Sequence, residues 1–136
     1  MGSRRLLALM LILCAAPLAG AAGLTQTSAF LPADQAFAAD VWREETGHTV
    51  AWTVAPGYYL YGHALAFELD GEALAVDIPA GMPYHDAHFG DVTIYRDQLF
   101  VSLPHTQSGG ELLVRYQGCA DAGLCYPPQQ RRYQLP

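Results

Sequence analysis

The sequence predicts an all-β domain built as a two-sheet sandwich, and three observations carry that reading. Apolar side chains recur at every second position in one short run after another, turn signals part the runs, and no window holds the spacing of a long amphipathic helix. Six to eight such strands within residues 22–136 fit two packed antiparallel sheets.

Taken in order, Phe37, Ala39 and Val41 mark the first strand, and Val50, Trp52 and Val54 alternate with Thr49, Ala51 and Thr53 in the second. Residues 58–69 hold one or two more. Leu74, Val76 and Ile78 repeat the alternation over 73–78, as do Leu99, Val101 and Leu103, then Leu112, Val114 and Tyr116, and finally Tyr133 and Leu135. Between them lie Pro56-Gly57, Asp70-Gly71, the Pro79 to Pro83 stretch, Ser108-Gly109-Gly110 and Pro127-Pro128, all turn chemistry. The tandem prolines restrict the last strand to a sheet edge. The segment 79–93 reads as the longest irregular loop, a place where function often sits. Trp42 and Trp52 are both expected in the core. Arg96 and Asp97 suggest a local ion pair of small energetic weight.

The start of the chain has a different character. Arg4 and Arg5 precede an apolar run from Leu6 to Ala16, and Ala19-Gly20-Ala21-Ala22 offers a small-residue cleavage site. These are the parts of a cleaved secretory signal peptide over residues 1–21. The apolar run is short for a membrane span, and no span is expected in the mature chain. Cys14 follows Leu13, too large a residue for a lipoprotein site, so it leaves with the leader. Export also sets the charge. All seven basic residues of the chain are Arg, and loss of Arg4 and Arg5 leaves five against thirteen carboxylates, a net of −8. That balance speaks against nucleic-acid binding, which needs a basic surface to neutralise phosphates.

The mature chain keeps two cysteines, Cys119 and Cys125, in a compartment that permits a disulfide. The first ends one strand and the second begins the next, so the pair can close across the mouth of a hairpin. Gly118 and Gly123 supply the tight backbone geometry. A structural staple and a redox centre are both compatible with the spacing. The ring is so short that chain entropy credits the staple with only about 2 kcal/mol. A metal site using His85 and His88 as further ligands is disfavoured, because five intervening residues match no common zinc pattern. No metal or cofactor is expected.

The run Tyr116-Gln117-Gly118-Cys119-Ala120-Asp121-Ala122-Gly123-Leu124-Cys125-Tyr126-Pro127-Pro128 resembles the active-site signature of a known family, the amino-terminal periplasmic domain of the thiol:disulfide interchange protein DsbD. Similarity also runs through Phe30 to Phe37, Gly57 to Tyr61 and Ile94 to Asp97, in the same order along nearly the whole mature chain. The resemblance implies an immunoglobulin-like fold and protein-disulfide reductase activity in the periplasm. It further implies electrons taken from a thioredoxin-like donor, in that family a domain of the same protein. These would pass to thioredoxin-fold acceptors such as disulfide isomerases and cytochrome c maturation proteins.

Carried over by position, Cys125 is the cysteine that forms mixed disulfides and Cys119 the one that resolves them. The thiolate of Cys125 would attack the partner's disulfide and Cys119 would release the reduced partner. Nothing in the neighbouring sequence is cationic, and Asp121 and Asp86 would disfavour a thiolate if close. Activation is therefore expected from the docked partner. Asp86, His88, Phe89 and Gly90 match the family's cap, a flap over the cysteines, with Ala87 and His88 departing from its pattern. Either Phe89 or His88 could supply the shielding ring, the latter with a proton-sensitive contact. His85 reads as an exposed loop residue. Tyr59 and Tyr61 share one side of their strand and fall where the family's aromatics line the site, although core packing would also explain them.

The competing function is a secreted immunoglobulin-like binding module with a purely structural hairpin disulfide. A hydrolase is disfavoured, since no G-x-S-x-G nucleophile motif occurs. Family members continue into a membrane domain and a thioredoxin-like domain, whereas this sequence stops at Pro136. It is expected to be either a fragment of such a protein or a free-standing relative with a separate electron donor.

Overall fold

The computed structural model describes residues 29–136. The expected leader at 1–21 and Cys14 lie outside the described residues. A single helical turn, α1 (Ala33–Ala36), precedes eleven strands: β1 (Phe37–Glu44), β2 (Gly47–Val54), β3 (Tyr58–Tyr61), β4 (Ala66–Leu69), β5 (Glu72–Ala73), β6 (Met82–Asp86), β7 (Gly90–Tyr95), β8 (Gln98–Pro104), β9 (Glu111–Tyr116), β10 (Gly118–Ala120) and β11 (Gln129–Gln134). One 3-10 turn, Gly62–Ala64, links β3 to β4.

The sandwich forms, and its hydrogen bonds sort into three antiparallel ladders of order β1-β2-β8, β10-β3-β7-β6 and β11-β9-β4-β5. Strands change ladder without leaving the sandwich. β9 pairs with β4 and β11, and after the single residue Gln117 the chain continues as β10 against β3. β7 and β8 make a similar transfer across Arg96 and Asp97, where Asp97 turns the backbone with φ 61°.

Alternation places the core. Along β8 every second residue is buried, so Leu99, Val101 and Leu103 point inward. They meet Val50, Trp52 and Val54 of β2, Leu112, Val114 and Tyr116 of β9, and Phe37 and Phe67. Trp52 stands edge-on to Phe67 and Tyr116, with ring centroids 6.1 and 5.6 Å apart. A second, smaller apolar cluster of Tyr59, Tyr61, Ile94 and Cys119 forms apart from this core.

Four expectations need correction. Trp42 is not in the core: it is 36% exposed and packs edge-on against Phe100 on the outer face. Residues 74–81 form no strand beyond β5, although Leu74, Val76 and Ile78 do pack on the core. Their alternation reports burial without a ladder. Residues 79–93 are not an irregular loop, since β6 and β7 build a hairpin within them. Gly81 explains why the chain can lie so close there, because a Cβ would come within 2.5 Å of the Thr93 side chain and 2.8 Å of the Ile94 carbonyl. Lastly, Arg96 pairs with Asp121, not with its neighbour Asp97.

Candidate active site

Cys119 is the middle residue of β10 and pairs in register with Tyr59 of β3, while Gly118 pairs with Leu60 and Ala120 with Tyr58. Gly118 is needed for that approach: an added Cβ would lie 2.3 Å from the Tyr59 carbonyl oxygen and 2.5 Å from the Phe37 ring. From β10 the chain turns through Asp121–Leu124, with Gly123 at φ 105°, and returns at Cys125. Cys125 makes an isolated bridge to Cys119 and begins no strand, β11 starting only at Gln129. The two sulfurs are joined as a disulfide. Cys119 is fully buried and Cys125 is partly exposed.

Alternation along β3 turns Tyr59 and Tyr61 to the cysteine side and Tyr58 and Leu60 to the main core. The Tyr61 hydroxyl lies 3.0 Å from Cys119 Sγ and 3.9 Å from Cys125 Sγ. It donates to Asp86 Oδ2 at 2.6 Å, and Tyr59 donates to the same oxygen at 3.0 Å. Asp86 is 3% exposed. Its other oxygen accepts the backbone N–H groups of His88 at 2.7 Å and Phe89 at 3.0 Å, so one carboxylate both closes the hairpin tip and holds the two tyrosines.

Burial raises the pKa of Asp86, but hydrogen bonds from Tyr61, the His88 and Phe89 amides and Tyr59 outweigh it and hold the group at about 2. Burial, then the bond to Asp86, pushes the Tyr61 phenol up to about 12. Tyr59 rises further, by burial and by its contacts with Tyr61 and Asp86. Both phenols are therefore neutral donors to an ionised carboxylate.

The hairpin tip carries the other residues expected in a cap. Phe89 lays its ring against Tyr61 and His63, with centroids 5.1 and 4.8 Å away, although it remains 51% exposed. His88 is exposed and contributes its amide to the turn, and Gly90 closes it at φ 72°. His85 is exposed beside Asp91, 2.7 Å away. Phe89 and His63 also wall an open groove of about 910 Å³.

Two participants and one pairing were not foreseen from the sequence. His63 and Tyr84 stack on Tyr61 and Tyr59, with centroids 5.0 and 5.1 Å apart. Arg96 reaches from the β7–β8 junction to grip Asp121 in the loop between the cysteines, at 2.9 and 3.0 Å. The Tyr-Leu-Tyr alternation carried a signal for aromatics beside the cysteines. Nothing in the sequence marked the long-range partner of Arg96. Among the described residues, no group of three or more His, Cys, Asp or Glu side chains is placed to hold a metal ion.

Residues 27–136 match the family model of the N-terminal domain of the thiol:disulfide interchange protein DsbD. The chain belongs to that family. Among curated relatives, a DsbD of Vibrio vulnificus is 45% identical over 105 residues, 75% of this chain and 18% of that protein. One of Cronobacter sakazakii is 40% identical over 137 residues, 98% of this chain and 24% of that protein. The chain thus spans about a fifth to a quarter of the length of these relatives. Among solved structures, the reduced DsbD N-terminal domain of Neisseria meningitidis superposes with a TM-score of 0.69 at 30% identity, covering 76% of this chain and 86% of that one. The complex between the DsbD and PilB N-terminal domains of the same organism matches with a TM-score of 0.67 at 28% identity, over 77% of this chain and 86% of that one. Among the described residues, no helix is long and apolar enough to cross a membrane.

Proposed function

We propose that this domain passes reducing equivalents in the periplasm, from a thioredoxin-like donor to thioredoxin-fold acceptor proteins, by disulfide exchange at Cys119 and Cys125. The observation that carries the reading is the unequal burial of the two sulfurs, Cys119 at 0% and Cys125 open to one side, within a polar cluster roofed by Phe89. A bridge used only as a staple has no need of an ionised carboxylate and two phenols gathered beside it.

In the reduced domain the Cys125 thiolate attacks one sulfur of the acceptor's disulfide, and the acceptor's other sulfur leaves as a thiolate. Tyr61 gives its only hydroxyl hydrogen to Asp86, so its oxygen is free to accept from the Cys119 S–H. That chain keeps Cys119 a thiol until it is needed. Cys119 then attacks Cys125 Sγ, its proton passes to the departing acceptor sulfur, the acceptor's first thiolate takes from solvent the proton that Cys125 gave up on ionising, and the acceptor leaves as a dithiol. Two electrons have moved and the Cys119–Cys125 bridge has re-formed. A reduced thioredoxin-like donor regenerates the dithiol by the reverse sequence.

A cysteine trap tests this reading. Cys119→Ser is expected to accumulate a mixed disulfide between Cys125 and an oxidised thioredoxin-fold acceptor, detected by mass on a non-reducing gel, and Cys125→Ser to give none. Absence of adduct from Cys119→Ser, with a wild-type bridge that resists thioredoxin-like reductants, would leave a secreted binding module with a structural disulfide.

A further inference from the structure

We propose that Arg96 is a positioning residue for the exchange: with Asp121 it clamps the loop between the cysteines, so that Cys119 and Cys125 stay within reach of each other after their bridge has opened. The inference rests on the exchange reading of the pair and adds a residue to it.

The two cysteines are held by different means. Cys119 belongs to β10 and is fixed by its ladder with β3. Cys125 follows a turn and is flanked by two backbone bonds to β10, from the Ala120 N–H to the Leu124 carbonyl at 2.7 Å and from the Tyr126 N–H to the Gly118 carbonyl at 3.0 Å; once the sulfur–sulfur bond is broken, its distance from Cys119 depends on those bonds and on what restrains the rest of the turn. The Arg96 guanidinium is placed to do this. Nη1 and Nη2 donate in parallel to the two oxygens of Asp121, at 3.0 and 2.9 Å. Nη1 also donates to the Tyr58 carbonyl at 3.2 Å, and the guanidinium sits 5.2 Å from the centroid of the Tyr59 ring. Tyr58 and Tyr59 are the register partners of Ala120 and Cys119. One side chain thereby ties the turn to the strand that holds Cys119.

The chemistry suits Arg and no other residue. A planar fork meets a carboxylate through two parallel bonds and stacks on an aromatic face, and an ammonium cannot do both. The arginine side chain is 26% exposed, so the pair is more sheltered than an ordinary surface bridge. The backbone adds anchors of its own: the Asp121 N–H donates to the Gly57 carbonyl at 2.8 Å and the Gly123 N–H to the Ala120 carbonyl at 3.0 Å, beside the bonds of Leu124 and Tyr126 to β10. The clamp thus closes a loop that is already folded back, and its effect should appear in the effective concentration of one thiol at the other.

The experiment separates the two chemical steps. In the otherwise wild-type domain, Arg96→Gln and Asp121→Asn are each expected to slow release of glutathione from a preformed Cys125 mixed disulfide by about three- to tenfold, the range that loosening one side-chain tether gives to an intramolecular reaction. The equilibrium between dithiol and disulfide, measured against glutathione, should shift by the same factor, making the dithiol a weaker reductant. The double variant should match Arg96→Gln, in which the Asp121 contact is already lost. In a Cys119→Ser background, where only attack by Cys125 remains, Arg96→Gln should leave the rate with oxidised glutathione within about twofold. Arg96→Lys should fall between wild type and Arg96→Gln.

An unchanged release rate and equilibrium in Asp121→Asn, whose side chain is 46% exposed, would overturn the clamp. So would an equal slowing of attack and release, which would mark a general loss of structure. If wild-type protein exchanges normally while these variants do too, only the clamp fails. If wild type neither traps nor reduces an acceptor, the exchange reading fails with it.

Discussion

With its pKa held near 2, Asp86 stays ionised wherever the protein would work, and the fold draws on that charge from two directions. The folded value lies below the ordinary carboxyl value of 3.8, so the ionised group stabilises the fold fully above about pH 4, and that contribution is lost as pH falls toward 2. A shift of this size corresponds to about 2 kcal/mol. Asp86→Asn should therefore lower stability by about that amount at pH 7, measured by urea denaturation, and the gap to wild type should close below pH 4. A gap that persisted unchanged at pH 2 would mean that packing, not charge, carries the residue. At this scale the sequence was legible where a motif surrounded the residue. Cys119, Cys125, Tyr59, Tyr61, Asp86 and Phe89 were all named from it, and they meet. His63 was not, and Arg96 was named only with its neighbour Asp97, because a residue's partner across 25 positions or its ring contact across a hairpin tip leaves no local trace.

The short strand β10 shows how an element can govern the site through a residue with no side chain. Gly118 lets β10 lie against β3 with the Phe37 ring beneath it. Gly118→Ala would press a methyl into the Tyr59 carbonyl and that ring at once. An overpacking cost of about 3 kcal/mol is expected, with slower disulfide exchange, because Cys119 moves with the strand. Denaturation and exchange rate of one purified variant check both, and a variant as stable and fast as wild type would contradict the close approach. The strand pattern itself was readable wherever alternation was long and turns were plain, as in β2, β8 and β9. It misled at Leu74, Val76 and Ile78, where the same alternation packs side chains on the core without a pairing strand. It hid the β6–β7 hairpin, whose prolines and glycine read as loop. A quieter signal was present there, an Asp four residues before a Gly, which is how the Asp86 turn and Gly90 close the tip.

On the scale of the whole molecule, the apolar core and the cysteine cluster are separate bodies that share β3 and the end of the β9–β10 run. The two-sheet sandwich needed only alternation and turns to be foreseen, and its immunoglobulin-like character came with the family resemblance, whereas its division into three ladders follows from strands that switch partners, which periodicity does not record. Stability should likewise divide. Replacing both cysteines by Ser removes a small ring and should cost about 2 kcal/mol, leaving a folded domain with intact near-ultraviolet signal from Trp52. Global unfolding of that variant would show the two bodies to be one. The unequal seating of the sulfurs has a mechanical consequence as well. Cys119 is bolted to the frame within a ladder, and Cys125 is hinged to the same strand by a backbone bond on either side, so the bridge works like a vice with one fixed jaw and one hinged jaw. On the exchange reading, whatever travel the chemistry requires is expected of that hinged limb rather than of the sandwich behind it.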